Sequence, residues 1–196
     1  MDYISLLNNF NYTNHMPALA HIGIGLAAKR FFPQIPLWAS LISAMVIDIL
    51  SFIFIFAIWP SHGLFMAVVW SASAMLISAL VTTLLNSRKE QDKNMISTIW
   101  RIESLYISMI IGLLVFSHVV LDFIGWPMSI INPDATGVPL LFDDSVTIGL
   151  GVYTTWFGAL TMDIGFFVAG LAIYLHSRKK IKKIKTVDVT SSEIIS

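Results

Sequence analysis

Apolar residues run along this chain in blocks too long and too even to be one face of a soluble amphipathic helix. Leu37 to Ile58 is one such block, interrupted by a single charge at Asp48. Gly63 to Asn86, Ser104 to Gly125 and Thr154 to His176 are three more, and each has the roughly 20 residues a helix needs to cross a bilayer. Ala18 to Phe32 is shorter, opened by Pro17 at a first helical turn and closed by Lys29 and Arg30. Polar punctuation falls between the blocks. Trp59-Pro60-Ser61 breaks the chain, with Ser61 placed as a helix N-cap and His62 in the turn after it. Ser87 to Glu103 reads as a charged loop or a short amphipathic surface helix, and Trp126 to Ser145, with three prolines and no basic residue, as an ordered loop.

The pattern predicts an all-α polytopic integral membrane helix bundle with four transmembrane helices and a short N-terminal fifth. Residues 1–17 form a lead-in, 18–176 the single transmembrane domain, and 177–196 a basic, then polar, disordered tail. Composition agrees: 56% of the 196 residues are hydrophobic and 12% charged, about half the charged share of a soluble domain. Net charge is formally zero, which argues against a nucleic-acid partner and leaves membrane lipids as the expected surroundings. Cysteine is absent, so disulfides, thiolate metal sites and cysteine nucleophiles are excluded. All twelve Lys and Arg fall in three places, Lys29–Arg30, Arg88 to Arg101 and Arg178 to Lys185, which are alternate connections. The positive-inside rule then puts these connections and the C-terminus in the cytoplasm, and the Trp59 turn and the Trp126 loop outside.

Against this background His118 and Asp122 stand out. Four residues apart on a helix, they share one face, one turn above the other. Leaving them in an apolar run is costly unless something compensates them. With a rise of ~1.5 Å per residue, Asp122 lies about one turn below the outer end of its helix and His118 one turn deeper. His62 starts a helix at the outer surface, while Asp48 and His21 fall near mid-membrane. Three imidazoles and two carboxylates from separate helices therefore converge on the outer half of the bundle. That donor set suits zinc, manganese or iron rather than calcium. A catalytic site of this type uses three protein ligands and leaves one position for water, with a further carboxylate as ligand, general base or orienting partner. The bland alternative is a hydrogen-bonded His–Asp pair that cross-links helices without a metal. Asp163, in the last block, reads as an orienting partner or a proton-relay group, Gly23 and Gly25 as a packing face, and Trp38, Trp59, Trp100 and Trp126 as interface anchors.

The motifs Ala20-His21-Ile22-Gly23-Ile24-Gly25, Asp48, Ser61-His62-Gly63-Leu64-Phe65, Ser117-His118-Val119-Val120-Leu121-Asp122 and Pro139-Leu140-Leu141-Phe142 occur in order from Ala18 to Phe142. In that order they resemble the membrane-bound metal-dependent hydrolase family of prokaryotic inner-membrane proteins. The resemblance implies a divalent metal held by His21, Asp48, His62, His118 and Asp122, a hydrolytic reaction, and residence in a prokaryotic cytoplasmic membrane. The chain departs from the family at Ile47-Asp48-Ile49-Leu50, which lacks a second carboxylate, and at Ala57-Ile58, where the family commonly has His-Arg. Both departures tell against a second metal and an oxyanion-binding Arg. Three functions follow as expectations: a metal-dependent hydrolase acting on a lipid or phosphoester with Asp48 as ligand or base; a proton or divalent-cation transporter or channel; and a non-catalytic scaffold.

Overall fold

The computed structural model of the chain describes residues 19–54, 58–87, 94–128, 136–143 and 145–194, so the 1–17 lead-in lies outside the described residues. Among the described residues six helices form: α1 (Leu19–Phe31), α2 (Leu37–Ile53), α3 (Ile58–His62), α4 (Leu64–Ser87), α5 (Asn94–Gly125) and α6 (Trp156–Ile194). Between α5 and α6 lie a two-stranded antiparallel hairpin, β1 (Val138–Pro139) with β2 (Thr147–Ile148), and a 3-10 turn over Val152–Thr154.

Three helices are long and apolar enough to cross a membrane: Leu64–Leu85 in α4, Ile102–Gly125 in α5 and Trp156–Arg178 in α6. Large side chains stand outward along them, Leu76 at 72% and Phe157 at 82% exposure. Such continuous exposed hydrocarbon is unfavourable in water and suited to a bilayer. The other two expected spans are shorter. α2 has 17 residues, and a helix of that size measures about 25 Å against a ~30 Å hydrocarbon core. The apolar run from Leu37 does not continue as one helix to Ile58. Phe54 leaves helical geometry at the C-terminus of α2, its N–H bonded to Leu50 O at 3.0 Å, and Ile58–His62 forms a separate five-residue helix. α1 has 13 described residues.

The polar stretch from Ser87 to Glu103 also differs from expectation, because α5 already begins at Asn94. No Pro or Gly interrupts residues 94–111, so nothing in the backbone chemistry stops the spanning helix from extending upstream. α6 continues past its apolar part through Ile194, over most of the residues read from sequence as a tail.

α5 is the axis of the bundle. More than half of its spanning window is buried (56%), against 6% for α4 and 17% for α6. α4 packs along α5, α1 packs along α6, and α2 joins the two pairs through α1 and α5. The α1–α6 crossing is a backbone contact of small residues, as expected for Gly23: a Cβ there would lie 2.3 Å from Phe166 O, and one on Gly170 would lie 2.0 Å from Gly23 O.

The chain after α5 closes one end of the bundle. The N–H of Leu150 donates to Phe123 O (2.8 Å) and that of Gly151 to Trp126 O (2.7 Å), so carbonyls at the end of α5 that no further helical turn would satisfy find partners. The hairpin reaches α4, where Phe65 N–H donates to Leu140 O at 3.3 Å and the Phe65 and Phe142 rings meet edge to face at 4.7 Å. In the hairpin turn the Ser145 N–H and hydroxyl both donate to Asp143 Oδ1, which holds that carboxyl below its ordinary range. This loop end of the bundle faces away from the basic end, where Lys29 Nζ donates to Pro33 O and Ile35 O beyond α1.

Candidate metal centre

Four helices each bring one or two polar side chains to the loop end. His21 is the third residue of α1, Asp48 lies five residues before the end of α2, His62 is the last residue of α3, and His118 and Asp122 share one face of α5. The structure brings together all five residues singled out in the sequence. None is more than 9% exposed, and His62 and His118 are at 1%.

His118 is at the centre. Its Nδ1 donates to Ala44 O at 2.7 Å, a bond that can run in one direction because a carbonyl only accepts. In the neutral ring Nε2 therefore carries a lone pair, and it faces Asp48 Oδ1 at 3.3 Å and Asp122 Oδ2 at 3.4 Å. Three electron-rich atoms point at one another, with no donor among them. His62 Nε2 lies within hydrogen-bonding reach of Asp48 Oδ1 at 3.4 Å and 3.8 Å from Asp122 Oδ2, and His21 Nε2 lies 3.5 Å from Asp122 Oδ1. His118 Nε2, Asp122 Oδ2, Asp48 Oδ2 and His21 Nδ1 are buried without a hydrogen-bond partner. Buried acceptors turned toward one another are unfavourable unless a cation lies between them.

The spacing fits such a cation. Ligand atoms ~2.0–2.1 Å from a tetrahedral zinc stand about 3.3 Å from each other, and the closest N···O separations here are 3.3, 3.4, 3.4 and 3.5 Å. Charge-assisted N–H···O bonds are tighter, near ~2.8 Å. Two overlapping triads, His21/Asp48/His118 and His62/His118/Asp122, each place one ligand atom per residue within 4.8 Å of the others. They share His118, so this is one centre. The His21 and His118 rings are stacked, centroids 3.7 Å apart and 6° from parallel, an arrangement that disfavours a positive charge on both.

A surrounding layer fixes the ligands. Ser61, fully buried, contacts His62 Nδ1 with its hydroxyl at 2.8 Å, which turns Nε2 toward the carboxylates. Sequence reading placed Ser61 as an N-cap and His62 as the start of a helix. Instead both close α3, and in the first turn of α4 the Phe65 N–H finds its acceptor in Leu140 O. Replacing Ser61 with Ala is expected to lower metal affinity by about 10–100-fold with helicity unchanged, checked by titration with a competing chelator and by circular dichroism.

Two other members of this layer, Trp126 and Tyr153, were not assigned to the site from sequence. Trp126, read as an interface anchor, is 2% exposed and stacks on His62 with centroids 5.7 Å apart and 16° between planes, so it shields the centre from the loop side. Trp38, at 67% exposure, fits the anchor role. Asp163, read as an orienting partner or a relay group, accepts the Ala20 N–H at its Oδ1 at 2.8 Å, so a carboxylate of α6 caps α1 one residue before His21. Tyr153 packs its ring where a Gly125 Cβ would stand, and burial, reinforced by the charges of Asp163 and Asp122, pushes its phenol above the ordinary value. Proximity of Trp and Asp across helices leaves no local signature in sequence, and a backbone acceptor such as Ala44 O leaves none at all.

No family model matches the chain, and no curated protein or solved structure matches it either.

Proposed function

We propose that the chain is a membrane-embedded metal-dependent hydrolase of the family its motifs resemble, acting on a lipid or phosphoester near one face of the bilayer. The observation that carries this reading is the convergence of five buried His and Asp side chains at ligand-to-ligand spacing, with His118 Nε2, Asp122 Oδ2, Asp48 Oδ2 and His21 Nδ1 buried without a hydrogen-bond partner. Of the five, Asp48 is the most exposed, its side chain at 13%. Zinc, or manganese or iron in its place, supplies when bound the Lewis acidity that activates water and polarises a phosphoryl or acyl oxygen.

The protein's own groups then divide the work. His62 and His118 are oriented through their Nδ1 atoms by Ser61 Oγ and Ala44 O, so their Nε2 atoms are held inward. Asp122 joins His21 to His118 across α1 and α5. Asp48 Oδ2, free of a hydrogen-bond partner, takes the proton of the attacking water. Trp126 keeps bulk water from His62. In this reading α2 and α1 complete the membrane-embedded bundle beside the three full-length spans, the basic end and the C-terminus are cytoplasmic, and the host is a prokaryotic cytoplasmic membrane.

The test is turnover. Purified protein loaded with zinc, manganese or iron is assayed against aryl phosphoesters and labelled phospholipids. Metal-dependent hydrolysis that Asp48→Asn lowers by about 10²–10⁴-fold supports the assignment. No turnover, combined with proton or divalent-cation flux in proteoliposomes that the same variant abolishes, replaces it with the transporter reading.

A further inference from the structure

On the side of α5 facing α2 and α4, a groove of about 420 Å³ runs from the basic end toward the His/Asp cluster. Its walls are Ala39 and Val46 of α2 with Ala74 and Val81 of α4, and its floor is Ile107, Ile111 and Val115 of α5. α2 and α4 scarcely touch, which is what leaves the space between them. The floor residues are spaced four apart, and three and seven residues beyond Val115 come His118 and Asp122. At helical periodicity these five positions form a single stripe, so the groove and the candidate metal centre lie in line on one face of α5.

Two hydroxyls in the groove bond to the backbone of their own helices, Ser43 donating to Ala39 O at 2.7 Å and Thr82 to Ser78 O at 2.7 Å, and the Thr82 hydroxyl also meets that of Ser104 on α5. What remains is hydrocarbon, open sideways on helices whose outer faces are themselves apolar, with Ile42 at 50% and Ile77 at 62% exposure. Water gains nothing there. From Ala74 to Leu85 the groove extends about 16 Å at ~1.5 Å per residue, comparable to the depth of one leaflet of a ~30 Å hydrocarbon core.

The geometry points to this groove as the seat of a single long hydrocarbon chain, the tail of an amphiphile whose polar head group lies at the His/Asp cluster. The head-group half of this statement rests on the hydrolase reading and narrows its substrate to a long-chain lipid; occupancy of the groove by a chain does not rest on it.

The two are separated in one experiment. Protein in nanodiscs of phosphatidylethanolamine and phosphatidylglycerol, doped with a phospholipid carrying a diazirine in one acyl chain, is irradiated and mapped by mass spectrometry, with metal content measured on the same samples. Adducts are expected on Ile107 and Ile111, lost in Ala39→Phe and in Ala74→Phe, and kept in Leu76→Phe, which adds bulk on the exposed face of α4 outside the groove. Metal content stays at the unsubstituted level in all three variants. Adducts as abundant on Leu80 and Phe157 as on Ile107, or unaffected by both filling substitutions, overturn the proposal. Filling-sensitive adducts in a protein that binds no metal keep the chain site and remove the hydrolase reading. Two filling variants are used so that misfolding of one, seen as lost helicity, leaves the other to decide.

Discussion

Asp122→Ala and His118→Ala are expected to lose a metal that the unsubstituted protein, on the proposed reading, retains through purification. The loss in affinity exceeds the ~10–100-fold typical of disturbing a residue that merely orients a ligand, because His118 Nε2 faces both carboxylates and Asp122 spans three imidazoles. Elemental analysis by plasma mass spectrometry reads the result directly. Stability gives a second, independent sign. Ligand that binds the folded state alone stabilises it by about 4 kcal/mol at a thousand times its Kd, so the melting temperature of the unsubstituted protein rises with added zinc and falls with chelator. Both variants are insensitive to either addition.

Asp122→Asn sharpens the comparison. The amide keeps the size of the carboxylate and can donate to His118 Nε2, so in chelator the Asn variant melts above the unsubstituted protein, whose acceptors face one another uncompensated. A helix cross-link made of His–Asp ion pairs predicts the reverse: chelator leaves melting unchanged and Asp122→Asn destabilises, because a paired charge is lost. Either pattern is decisive, since the two readings differ in sign and not only in size.

How much of this was legible beforehand differs between the fold and the site. The spans of α4, α5 and α6 were legible because a bilayer demands long apolar runs and leaves them nearly unbroken. The same reasoning over-extended α2. Hydropathy is indifferent to whether Leu37 to Ile58 is one helix or two, and the break at Phe54 matters because the short helix after it turns His62 onto Asp48. At the site, five ionisable residues in an apolar background were conspicuous, and their convergence followed once the spans and their directions were set. Of the groups around them only Asp163 was conspicuous, and its partner was not. Ala44 contributes a carbonyl, Asp163 caps a helix 143 positions away in sequence, and Trp126 has the composition and position of an interface anchor while packing on an imidazole. Such contacts depend on which helix faces which, information that apolar periodicity carries weakly in a membrane, where lipid-facing and protein-facing surfaces are both hydrophobic.

One further consequence of helix pairing can be tested on two glycines of the same helix. Gly165 and Gly170 both lie in the spanning part of α6, but a Cβ on Gly165 meets nothing within 4 Å, whereas one on Gly170 would stand 2.0 Å from Gly23 O and 2.7 Å from Gly23 Cα. The obstructing atoms belong to the backbone of α1, so no rotamer change relieves the overlap and the two helices must part. Gly165→Ala is expected to be neutral or to gain up to ~1 kcal/mol, the usual effect of removing glycine from a helix interior. Gly170→Ala is expected to cost ~1–3 kcal/mol, as overpacking does. The damage reaches the metal centre, because α1 carries His21 two residues from the contact and its first turn is tied to α6 through Asp163. Gly170→Ala should therefore weaken metal binding as well as lower the melting temperature, while Gly165→Ala changes neither adversely. Equal behaviour of the two variants would show that α1 does not pack on α6 at this crossing, and with that His21 would lose its place in the ligand set.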